Sequence, residues 1–257
     1  MRNLSLAFAI CAATAAGPAF AQSADGGTDF SITTGVDYSS GDYGTGTDTN
    51  ILVAPVSARL GAGDLRFSAS IPYVRIEGSG NIVGGDGGPV VIDPNAAPTT
   101  RSGIGDLTLG ANYAIPEDRF GLGVDVGTRV KLPTAETGLG TGKTDVSLSG
   151  ELSRTFGTVT PFVQAGYRIM GDPDGLDLNN VWFGSVGASA SLGRSVLLAS
   201  YDYRQATNAL VSDSQEVFGA FSTPVSKALN LTLYGSAGLS DGAPDFGIGA
   251  MVTIKAF

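Results

Sequence analysis

The chain contains no histidine, and its one cysteine, Cys11, lies close to the start. Without histidine, a serine or aspartate nucleophile lacks the base on which outer-membrane barrel hydrolases rely. Without both imidazole and thiolate, a zinc site lacks its usual ligands. No run beyond the leader reaches 18 consecutive apolar residues, so no helical membrane span is expected. Positive charge is also scarce: 15 Lys and Arg against 24 Asp and Glu leave a net charge of −9, which argues against a nucleic-acid partner. No enzyme activity, cofactor or resident metal is expected.

Arg2, the apolar stretch from Leu4 to Ala16 and the small-x-small site Ala19-Phe20-Ala21 read as a secretory signal peptide over residues 1–21. Bulky Ile10 before Cys11 speaks against lipid attachment, so this cysteine is an apolar member of the leader. Cleavage after Ala21 leaves residues 22–257 as one cysteine-free domain.

That domain is built on a period of two. Phe30, Ile32, Val36 and Tyr38 share one side of the first stretch, and Ser31, Thr33, Gly35, Asp37 and Ser39 share the other. The same alternation recurs near 51–60 (Leu52, Ala54, Val56, Ala58, Leu60), in Leu65–Tyr73, in Leu107–Ile115 and in eight further segments that end with Phe246, Ile248, Ala250, Val252 and Ile254. Twelve two-faced strands with a near-neutral mean hydropathy predict an all-β, up-and-down antiparallel transmembrane barrel. A soluble all-β barrel would instead carry a polar outer face. Five connections are short and six are longer or more polar, in strict alternation, which predicts both termini in the periplasm and the long loops outside. Tyr38, Tyr73, Tyr167, Trp182, Tyr201, Tyr203 and Phe246 then fall near one rim, and Phe30, Tyr113, Phe156 and Phe257 near the other, as interfacial girdles do. Pro55, Pro72 and Pro161 fall inside strands, where a bulge or a strand end must absorb the missing donor. Phe257 matches the terminal aromatic of bacterial outer-membrane barrels, with parity opposite to the residues before it.

The inward positions are mostly Ser, Thr, Gly and Asn with a charged minority. Asp37, Asp106, Arg129, Lys131, Asp145, Arg168, Asp202 and Arg204 fall toward the outer mouth, whereas Arg59, Arg66 and Lys255 fall toward the periplasmic end. Strands four to six bring Asp106, Arg129, Lys131 and Asp145 together, either as bracing ion pairs or as a charged constriction. Asp125 and Glu151 face each other one strand apart, a geometry that acid/base work also uses, although a fortuitous pair in a wet lumen explains it. Without Lys255, these are twelve side chains, from Asp37 to Arg204, and they are the pore-lining candidates. The segment from Gly78 to Gly103 reads as a long loop able to fold inward across the opening. The run from Asp172 to Asp177 departs from calcium-loop spacing. Gly142-Lys143-Thr144 lacks the glycine that a phosphate loop needs at position 137 and precedes a strand.

Gly103-Ile104-Gly105-Asp106-Leu107, Lys131-Leu132-Pro133-Thr134 and Leu139-Gly140-Thr141-Gly142 followed by Asp145 resemble the bacterial outer-membrane proteins grouped under the meta-pathway of phenol degradation. Where those proteins often have Pro-Thr-Gly, this chain has Pro133-Thr134-Ala135. The resemblance implies an outer-membrane barrel that passes small, aromatic or other organic solutes, without naming phenol as the solute. Outer-membrane lipid, lipopolysaccharide, the barrel-assembly machinery and a small-molecule solute are the partners this implies. A narrow polar lumen is expected from twelve strands. The alternative is a sealed surface barrel with a structural or loop-mediated binding role.

Overall fold

The computed structural model describes residues 28–78, 82–85, 88–92 and 97–256. The expected leader and Phe257 lie outside the described residues. In chain order the elements are β1 (Thr28–Gly41), β2 (Thr49–Ala62), β3 (Leu65–Gly78), β4 (Ile82–Val83), β5 (Val90–Val91), β6 (Thr99–Ile104), β7 (Leu107–Ile115), α1 (Glu117–Phe120), β8 (Gly123–Leu132), β9 (Asp145–Ser153), β10 (Val159–Ile169), β11 (Val181–Leu192), β12 (Ser195–Arg204), β13 (Ser214–Pro224), β14 (Leu229–Gly238) and β15 (Phe246–Lys255). Consecutive barrel strands pair antiparallel, and β15 returns to β1 in a ladder running from Ser31 opposite Lys255 to Ser40 opposite Phe246. Taking β6 and β7 as one interrupted strand, twelve strands close the barrel and leave no free edge.

The predicted alternation holds around this wall. Val163, Val186, Leu148 and Ile248 point outward and are exposed, while Gln164, Ser185, Ser147 and Thr253 point inward and are buried. An apolar belt exposed on every strand suits hydrocarbon and not water. At its rims Tyr167 packs on Trp182 with ring centroids 4.8 Å apart, and Tyr38 lies 6.0 Å from Phe246. Val186 is 56 % exposed in mid-strand and sits directly opposite Val163 and Tyr201. Val186→Arg should therefore cost about 2–4 kcal/mol of barrel stability, read as a lower urea midpoint in lipid vesicles; an unchanged midpoint would place that side chain outside the membrane.

The prolines are absorbed by gaps in the ladder rather than by extra residues. Pairing of β1 with β2 lapses between Thr34–Val56 and Asp37–Val53, next to Pro55. Pro55 itself stands opposite Pro72. Pro72 faces the β6–β7 break, and its carbonyl accepts the Gly105 N–H at 2.8 Å. Pro161 comes just beyond the last β9–β10 pair, Phe162 with Ser153.

The segment from Gly78 to Gly103, expected as a loop, carries structure of its own. It contributes β6, which extends the wall against residues 73–78 of β3, and the β4–β5 hairpin, which folds into the loop end of the barrel. The tight turn after β7 also carries one turn of helix, α1, closed by Gly121 at φ 72°.

Candidate functional site

All twelve candidate side chains fall on the inward parity of their strands, so the barrel wall presents them to its interior. They form three groups. Toward the turn end, Arg66 pairs with Asp125 at 3.1 Å, and Asn112 donates its amide to the other Asp125 oxygen at 2.7 Å. Glu151 stands opposite Asp125 on one side and Gln164 on the other. Arg59 lies one strand from Arg66, whereas Arg129, opposite Gly110 and Ser147 and two residues from Lys131, sits in the loop half beside the second group, as the sequence predicts.

The second group lies at the loop end, where the three motifs noted in the sequence converge. Lys131, 1 % exposed, reaches Asp106 at 3.2 Å and Asp145 at 3.0 Å, and donates to the Thr141 hydroxyl at 2.8 Å. The carboxylates are held in turn by backbone: Asp106 accepts the Ala135 N–H and Asp145 the Gly171 N–H. Thr134 accepts the Leu107 N–H at 2.8 Å, and the Glu136 N–H donates to the Ile104 carbonyl, so residues 134–136 fill the interruption between β6 and β7. Gly140 is tied to this arrangement, because a Cβ there would come within 2.6 Å of an Asp106 oxygen. Nearby, Arg168 donates to Ser147 at 3.0 Å and lies 5.1 Å from the centre of the Phe183 ring.

The third group lines the far side of the same mouth. Asp202 accepts hydrogen bonds from Ser185 and Ser200. Asp37 lies beside Tyr234, and Arg204 is set beside the hairpin, its guanidinium 3.5 Å from the Pro89 carbonyl. Glu216, opposite Asp202, belongs here as well and is missed by the sequence reading.

Parity alone does not foresee the apolar filling of the mouth. Ile82 pairs with Val91 and Val83 with Val90, so the hairpin has two apolar faces. Ile82 and Val91 pack on Ile51, Val53, Val74, Ile76, Tyr43 and Leu139. Val83 and Val90 pack on Met170 and Leu178, at the β10–β11 side. The hairpin thus bridges nearly opposite walls. Its edges are tied by Arg101 to the Ile82 carbonyl at 2.7 Å, by Asn208 to the Val91 carbonyl at 2.7 Å and by Gly84 N–H to the Leu139 carbonyl at 2.9 Å. The signal available in the sequence is a local failure of alternation: Ile51-Leu52-Val53 and Val90-Val91-Ile92 are apolar on both parities, which marks segments with apolar surroundings on both sides.

A family model described as "Putative MetA-pathway of phenol degradation" matches residues 15–256. An outer-membrane channel from Pseudomonas putida F1 superposes with a TM-score of 0.72 at 14 % identity, covering 91 % of this chain and 99 % of that one. The NanC porin gives 0.57 at 11 % identity, covering 87 % and 98 %. The β domain of the Bordetella autotransporter BrkA gives 0.51 at 13 % identity, covering 88 % and 98 %. At these identities the likeness is one of fold. No curated protein matches the sequence.

Proposed function

The chain belongs to that family, and we propose on this footing that it is an outer-membrane channel for small organic solutes whose outer mouth is closed at rest by the β4–β5 hairpin. The barrel is the outer-membrane one, with turns toward the periplasm and long loops outside. Solutes cross a narrow bore lined by the twelve inward charged side chains and by the Ser, Thr and Asn between them. The observation that carries this reading is the hairpin itself. Four buried apolar side chains, Ile82, Val83, Val90 and Val91, are seated across the mouth by packing and a few hydrogen bonds, with no covalent tie among the described residues. The gross gain of burying these four side chains is largely offset by the entropy of ordering the segment, so the net hold on the hairpin is small enough for a gate. The family description directs the choice of solute toward aromatic compounds and their relatives.

The same hairpin favours a second reading, a permanently sealed barrel with a structural or surface-binding role. Purified protein in planar bilayers separates the two. Stepwise currents from the wild type, or from a variant with the hairpin unseated, are expected for the channel. Silence from both would leave the sealed barrel.

A further inference from the structure

We propose that the lumen wall of β10–β14 carries a ring-binding strip that makes the channel selective for one-ring aromatic solutes; the inference rests on the channel reading above and adds a specificity element to it. Inward positions of membrane barrels are ordinarily polar. Here Phe162, Val196, Leu198 and Ala220 form one apolar cluster on the inward parity, with Phe218 and Tyr234 packed against it. Phe218 and Tyr234 stack with centroids 5.7 Å and planes 29° apart, and both stay only half-buried. A stacked pair with open surface is what a further ring joins at little cost.

Two glycines lay these rings along the wall. Phe162 stands opposite Gly187 and Tyr234 opposite Gly249. A Cβ at Gly249 would come within 2.2 Å of the Tyr234 ring, and one at Gly187 within 2.8 Å of the Phe162 ring. Each ring therefore lies over the backbone of the next strand. The wall diametrically opposite differs: β3 is six strands from β12 in either direction, and that side carries Arg59 and Arg66, with Asp125 paired to Arg66. A planar solute with a polar head would lay its ring on the strip and turn its head toward these charges of both signs. Because both signs are present there, the ring and not the sign of the head is selected.

The test uses the full chain in planar bilayers, with potassium acetate and potassium benzoate as probes. These anions share a carboxylate and differ in the ring. Benzoate-to-acetate permeability, taken from reversal potentials, should be at or above unity despite the larger anion, and should fall about five-fold in Phe218→Ser and in Tyr234→Ser. Gly249→Ala, which forces the Tyr234 ring off the wall, should lower the conductance to both. A ratio unchanged in both serine variants, with currents intact, would overturn the strip and leave the channel reading standing. Silence in every variant, including one with the hairpin unseated, would overturn the channel reading instead.

Discussion

Val91→Asp should turn a channel that is mostly shut into one that is mostly open. Val91 is 3 % exposed, and its side chain shares a cluster with Ile51, Val53, Val74 and Ile76, an apolar set with no cation among its described members. Seating the hairpin there gains about 1.5–3 kcal/mol from Val91 alone. An ionised carboxylate forfeits that gain and adds the cost of leaving water without a partner, several kcal/mol more. A combined shift of at least about 3 kcal/mol changes the ratio of open to closed by roughly two orders of magnitude. Single-channel recording at neutral pH should show the open probability rising accordingly, with little change in the barrel's unfolding midpoint, because the wall strands keep their pairing. Val91→Leu, similar in character, should leave gating near that of the wild type. Equal open probability in Val91→Asp and wild type would mean that the hairpin does not close the path.

What could be read from the sequence follows from where a single period governs. Each lipid-facing strand must be apolar on one parity only, so Val163, Val186 and Ile248 announce their direction, and the twelve-strand closure follows from counting such segments. The charged interior was legible for the same reason: Lys131, Asp106 and Asp145 share a parity on adjacent strands, and the barrel delivers them to within 3.2 Å. Legibility ends where a residue is buried by something other than its own strand's neighbours. Ile51 and Ile76 are apolar on the inward parity only because the hairpin in the connection after β3 folds back over them. Glycine and proline in the 78–103 segment mask that hairpin locally, since each of its strands is two residues long. The inward aromatics escaped for a further reason: Phe162 and Tyr234 are tolerated inside because Gly187 and Gly249, on other strands, make room.

The Lys131 cluster offers the second large effect. Lys131→Met removes the cation that sits against both Asp106 and Asp145, leaving two carboxylates in a site where Lys131 and Asp145 are each 1 % exposed. Breaking a buried ion pair from one side typically costs about 3–5 kcal/mol, mostly through the charge left behind. The urea midpoint in lipid vesicles should drop accordingly, and surviving channels should become more cation-selective as the mouth gains negative charge. The cost should belong to the orphaned carboxylates and not to the lost ammonium's own contacts. Adding Asp106→Asn and Asp145→Asn to Lys131→Met should therefore recover most of the stability and, by leaving the cluster uncharged, make the channel less cation-selective than the wild type, a non-additive result typical of groups in one network. If the triple variant is as unstable as the single one, the cluster braces the β7–β9 wall through packing and backbone contacts, and its charges are incidental to stability.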